Sequence, residues 1–150
     1  MSSLKKFLKA KKYTQLPLSL TTTNHYEIVA KINNKKGRFI LDTGASNTCV
    51  GLDKLEHFNL KSKESKIKAA GAGAINMETM ISTKNTMCIG KWKNKKQKIV
   101  LFDLTHVNEA LTMHNALPVE GIIGADILKK GNAIIDYKSS SLYLKQKGSK

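Results

Sequence analysis

Arg38-Phe39-Ile40-Leu41-Asp42-Thr43-Gly44-Ala45-Ser46 is the stretch on which the reading of this chain turns. Apolar residues of strand character run directly into an acid, a hydroxyl and a glycine. A carboxylate at the end of a buried strand is costly to desolvate unless it is hydrogen-bonded or has a chemical task. Gly44 frees the backbone to turn sharply and lets other groups approach. The pattern predicts a strand that delivers Asp42 into a tight loop, and the chemistry is expected there.

Upstream of that strand, His25–Asn33 alternates. Tyr26, Ile28, Ala30 and Ile32 share one face, with Glu27, Lys31 and Asn33 on the other and Val29 as the exception. Asn34-Lys35-Lys36-Gly37 then predicts the turn of a hairpin whose second arm is Arg38–Leu41. Tyr13–Leu20 reads as extended, with Pro17 suited to a sheet edge. Residues 1–12 form a basic segment with Leu4, Phe7 and Leu8 at helical spacing, set apart from one domain spanning residues 13–150.

Downstream, Asn47–Gly51 predicts a short strand and Leu52–Phe58 one or two helical turns. Gly71, Ala72 and Gly73 lie in a run of small residues joining two strands, the second over Ile75–Ile89. No Gly-Lys-Ser/Thr follows, so this is not a phosphate loop. Lys91–Lys96 reads as a charged turn before a strand over Lys98–Phe102. Thr105 is placed to cap a helix in which Val107 and Leu111 share a face. His106 and His114 lack zinc-site spacing and read as surface or packing residues. Two glycines flank the β-branched pair in Gly121-Ile122-Ile123-Gly124. A helix over Ala125–Lys130 follows, closed by Gly131. Asn132–Tyr137 and Ser141–Lys145 form a last hairpin.

With 150 residues and 41% hydrophobic content, the chain can bury a real core as one domain. No apolar run approaches the roughly 20 residues that span a bilayer. Lysines interrupt the apolar residues near the start, so a cytoplasmic location is expected. Cys49 and Cys88 are too few for a disulfide scaffold and read as reduced thiols. The net charge of +15 is spread over scattered lysines, and Arg38 is the only arginine. Specific nucleic-acid readers favour clustered arginines and stacking aromatics, so a lysine-rich solvated surface is the better account.

One Asp in a tight loop is a weak catalyst. Two carboxylates that share a proton can activate water with one member and protonate a scissile carbonyl with the other. The chain has one Asp-Thr-Gly, so the second acid must come from another copy across a two-fold axis. Thr43 is placed to hydrogen-bond across that axis.

Ile40–Ser46, taken with Gly121-Ile122-Ile123-Gly124-Ala125-Asp126-Ile127-Leu128, resembles the retropepsin-type aspartic proteases, above all their small single-domain bacterial and retrotransposon-like members. The resemblance covers roughly residues 13–145. It implies an all-β closed barrel with one or two short helices, a homodimer, no metal or organic cofactor, and an extended peptide substrate. It makes Asp42 the catalytic carboxylate in the loop with Thr43 and Gly44, and water the nucleophile. Ala45, Ser46, Gly71, Ala72, Gly73, Ile122 and Ile123 are the implied substrate-binding residues, with Gly71–Gly73 in a flap over the peptide. Retroviral members carry an acid at the position of Ser46 and an arginine at that of Ala125, so both halves of an ion pair are replaced here. Pepsin-like members place Ser or Thr where this chain has Ala45, and losing that hydroxyl predicts a less acidic optimum. The alternative is a catalytically silent module of the same fold that binds peptides or dimerises.

Overall fold

The structure, a computed structural model, describes residues 3–64 and 79–146. Helix α1 (Ser3–Ala10) leads into β1 (Tyr13–Pro17), β2 (Ser19–Leu20), β3 (Tyr26–Ile32), β4 (Lys35–Leu41) and β5 (Cys49–Gly51). A 3-10 turn at Leu52–Lys54 precedes β6 (Ser62–Glu64), β7 (Met80–Ile89) and β8 (Trp92–Phe102). Then come α2 (Thr105–Met113), β9 (Gly121–Ile123), α3 (Ala125–Lys130), β10 (Ile134–Asp136) and β11 (Ser141–Lys145). The expected all-β architecture is present. The helices are short, and among the described residues none is long and apolar enough to cross a membrane.

The larger sheet runs β2-β3-β4-β9-β5-β8-β7-β6, and a further pairing of β3 with β7 closes six of these strands into a barrel. A smaller sheet, β1-β11-β10, lies beside it, with Pro17 on the edge strand as its missing N–H requires. The β3–β4 hairpin turns at Asn33-Asn34, both at positive φ (51° and 69°), one residue before the predicted Asn34–Gly37. Two left-handed residues make the tight turn that matches strand twist, and asparagine tolerates that conformation best after glycine. β8 likewise begins at Trp92, before the predicted Lys98. Lys93, Lys95 and Lys96 are exposed on a strand stretch bounded by buried Trp92 and Gln97, so the charge did not mark a turn.

Alternation along the barrel strands sorts their side chains into two cores. Phe39, Val50, Ile99, Leu101 and Ile123 enter the main core. Their immediate neighbours Ile40, Cys49, Val100, Phe102 and Ile122 enter a second cluster, roofed by Leu111 and half-buried Val107 of α2. These strands therefore read as continuous apolar runs, because both faces are covered.

Glu27 departs from the expected outward face. It is buried, and its Oε1 lies 3.3 Å from Nε of Arg38 on the neighbouring strand. Its other oxygen has no hydrogen-bond partner among the described residues. Val29, the exception in the alternation, is exposed.

The candidate active site

Strand β9 lies between β4 and β5, parallel to the first and antiparallel to the second. The chain therefore leaves β4, loops over the end of β9 and returns on its far side. Residues 42–48 are that loop. Gly121 lets the three strands close up, since a Cβ there would stand 2.3 Å from the Cys49 carbonyl oxygen. Gly124 does the same beneath the loop, where a Cβ would lie 2.7 Å from the Ala45 carbonyl oxygen and 2.9 Å from the Asn47 backbone.

Asp42 stands exposed at the end of β4, as the sequence predicts. Its N–H donates to the Ile123 carbonyl at 3.0 Å, which continues the ladder one step past the strand. Its Oδ1 accepts the Gly44 N–H at 2.9 Å, and its carbonyl accepts the Ala45 N–H at 3.2 Å. The carboxylate is thus held by its own loop, with Thr43 and Gly44 exposed beside it. Gly44 does not use left-handed backbone. Its role is one of space, because a Cβ there would sit 3.3 Å from Asp42 Oδ1.

The return of the loop is fastened by a residue to which the sequence reading gave no role. The Asp126 carboxylate, in the first turn of α3, accepts the Thr48 N–H at 3.0 Å and the Thr48 hydroxyl at 2.7 Å. It also accepts Gln97 Nε2 at 3.0 Å and the Ile127 N–H at 2.8 Å. Thr48 is fully buried, and its Oγ1 in turn accepts the Gly124 N–H at 3.1 Å. Ala125 N–H closes the ring on the Ala45 carbonyl at 2.7 Å. Its sequence signal is only that of an acid in the first turn of a helix, where a carboxylate finds unpaired N–H groups such as that of Ile127.

The other site residues fall as follows. Ala45 is half-buried against the second cluster and Ser46 is exposed. Ile122 is buried in the second cluster, whereas Ile123 is wholly inside the main core, supporting β4 from beneath. Gly71, Ala72 and Gly73 lie outside the described residues, as does the whole of the expected flap; β6 and β7 on either side of it pair antiparallel. Cys49, under the loop, is an unbonded thiol pushed up to about 12, chiefly by burial, with the Asp126 and Asp42 charges adding to it.

Thr105 opens α2 rather than preceding it. Leu104 takes the cap position, and Asp103 just before it accepts both the N–H (2.9 Å) and the hydroxyl of Thr105, bonds that hold its carboxyl below the usual range. Helix α2 brings His106 and His114 to one cavity with His25 and Ile40, a convergence that no local spacing reveals.

The sequence profile of a family described as aspartyl protease matches residues 28–127, a span that contains the loop, its fastening and α2. The chain belongs to this family. No curated protein sequence matches it. Among solved structures, this member of the aspartyl protease family is similar to a retropepsin-like aspartic protease from Rickettsia conorii, at 20% identity and a TM-score of 0.59, over 88% of this chain and 89% of that one. It is also similar to EIAV protease complexed with the inhibitor HBY-793, at 20% identity and a TM-score of 0.50, over 69% and 84% of the two chains. The retroviral protease-like domain of Ddi1 from Leishmania major shares 15% identity at a TM-score of 0.54, over 79% and 86%. The fold is retropepsin-like.

Proposed function

We propose that this chain is an aspartic endopeptidase that works as a homodimer, with Asp42 of each copy forming one catalytic pair. The observation that carries the reading is the placement of Asp42. Its carboxylate is exposed, held from one side by the Gly44 N–H, on a loop anchored by a buried network. A chain with one Asp-Thr-Gly offers one such acid, and a two-fold axis supplies the other.

In that pair one carboxylate is ionised and takes a proton from a water, whose oxygen attacks the scissile carbonyl carbon. The other is protonated and donates to the carbonyl oxygen, giving a neutral tetrahedral diol. Collapse returns a proton to the leaving nitrogen and breaks the C–N bond. Thr43 braces the pair across the axis, and Ala45, Ser46 and the Gly71–Gly73 segment bind an extended substrate backbone. The two unbonded thiols suit a reducing compartment, and we place the enzyme in the cytoplasm.

Asp42→Asn tests this. It removes the proton acceptor while keeping shape, so cleavage of a peptide library is expected to fall by about 10³-fold or more with the melting temperature unchanged. Sedimentation at micromolar concentration is expected to show a dimer. Wild type and Asp42→Asn equally inert toward all peptides, with peptide binding retained, would establish a binding module instead.

A further inference from the structure

Ile40 lies two residues before Asp42 on β4, so the two side chains leave the strand on the same face. Ile40 is also one wall of a cavity of about 590 Å³ whose other apolar walls include Val107 and Leu111 of α2. Three histidines from separate places border it: His25 just before β3, His106 in the first turn of α2, and His114 just past its end. Among the described residues, none that lines this cavity is a lysine, arginine, aspartate or glutamate.

Two of the histidine rings are engaged at Nδ1, and all three keep ring nitrogens available. His25 Nδ1 shares a hydrogen bond with Thr23 Oγ1 at 2.8 Å, which leaves Nε2. His106 Nδ1 lies 3.7 Å from Glu109 Oε1, which also leaves Nε2. The Thr22 hydroxyl donates to the His114 carbonyl at 2.7 Å and ties the end of α2 to the segment before β3. The His114 ring has no hydrogen-bond partner among the described residues.

We infer that this cavity is a specificity pocket for a glutamate side chain of the substrate, close to the scissile bond. Its two methylenes would lie on Ile40, Val107 and Leu111, and its carboxylate would meet the imidazoles. Hydrogen bonds between ionised partners are roughly twice as strong as neutral ones, so glutamate outranks glutamine. A lysine or arginine side chain would meet like charge once the imidazoles are protonated. The net charge of +15 also raises the local concentration of acidic peptides. Histidine changes charge between pH 5 and 8, so the preference is expected to strengthen as pH falls through that range. The charged groups facing the histidines are Glu109, one turn along α2 from His106, Asp103 just before α2, which also interacts with His106, and Glu27 of β3, which interacts with His25. None of these carboxylates is among the described residues that line the cavity.

This inference rests on the proposed proteolysis, and the test separates the two. Peptides that differ only in Glu, Gln or Leu beside the scissile bond are compared by kcat/KM with wild type and by Kd with the Asp42→Asn protein, at pH 5.5 and pH 8. Glu over Gln by about tenfold at pH 5.5, mostly in KM, and near equality at pH 8 is the expected result. In His114→Gln and in His106→Gln/His114→Gln the Glu-to-Gln ratio is expected to fall toward one. Equal handling of Glu and Gln at both pH values, a ratio unchanged in the histidine variants, or Leu preferred throughout would overturn the pocket assignment. Glu-selective binding to Asp42→Asn without cleavage by wild type would uphold the pocket and overturn the proteolysis.

Discussion

The two faces of β4 are built to different standards. Phe39 and Leu41 point into the main core, where Phe39 is completely buried. Ile40 and Asp42 point the other way, into a smaller cluster roofed by one short helix and bordered by an open cavity and an exposed acid. One face holds the barrel together, while the other keeps a carboxylate accessible without unfolding its support. Phe39 buried on the first face and Asp42 exposed at the end of the second are set apart by the two-residue period of one strand.

The contrast can be broken most severely from the core side. Phe39→Ala leaves a cavity beneath the strand and is expected to cost about 3–5 kcal/mol in urea unfolding, and a loss under 1 kcal/mol would show that the main core does not carry the fold. Next comes the fastening between the faces. Asp126→Ala strands the Thr48 hydroxyl and N–H together with Gln97 Nε2, an expected loss of about 3 kcal/mol. The loosened loop is expected to lower kcat by about 10²-fold as well. Unchanged kcat in a folded variant would detach the network from the site.

Smaller effects sharpen the comparison. Glu27 has its carboxyl raised by burial first and by Glu120 second, against the opposing pull of Arg38 and His25. The folded chain therefore holds this proton more tightly than the unfolded chain. The resulting stabilisation is fully present below about pH 4.5 and is lost as pH rises through the raised folded value. Glu27→Gln is expected to flatten the stability curve above pH 4.5, gaining on wild type toward neutral pH. Parallel curves for the two proteins would refute this. Last, a thiol reagent at pH 8 is expected to modify half-buried Cys88 well before Cys49, whose burial suppresses the thiolate. Equal rates would mean that the second cluster opens readily.

Much of this was legible in the sequence where the signal is local. The apolar run into Asp42, the Gly121–Gly124 strand with its helix, and the last hairpin all follow from period, glycine placement and end signals. What escaped the reading depends on partners distant in sequence. Asp126 looks like an ordinary helix-start acid until Thr48 and Gln97 arrive beside it. Glu27 reads as solvent-facing because alternation does not show that Arg38, opposite Val29 on β4, reaches it diagonally. The three histidines have no shared spacing, since the cavity is assembled from β4, α2 and the segment before β3. The turn at Asn33-Asn34 was missed by one residue because Gly37 drew the reading past the asparagines that actually adopt left-handed backbone.

The insertion of β9 between β4 and β5 has a temporal corollary. Thr48 is fixed by an acid 78 positions further along the polypeptide. While the chain is being synthesised, the segment bearing Asp42 leaves the ribosome well before the strand and helix that hold it in place. Contacts so distant in sequence form late in folding. The loop that bears Asp42 thus stays unfastened in the nascent chain until β9 and α3 have also been made.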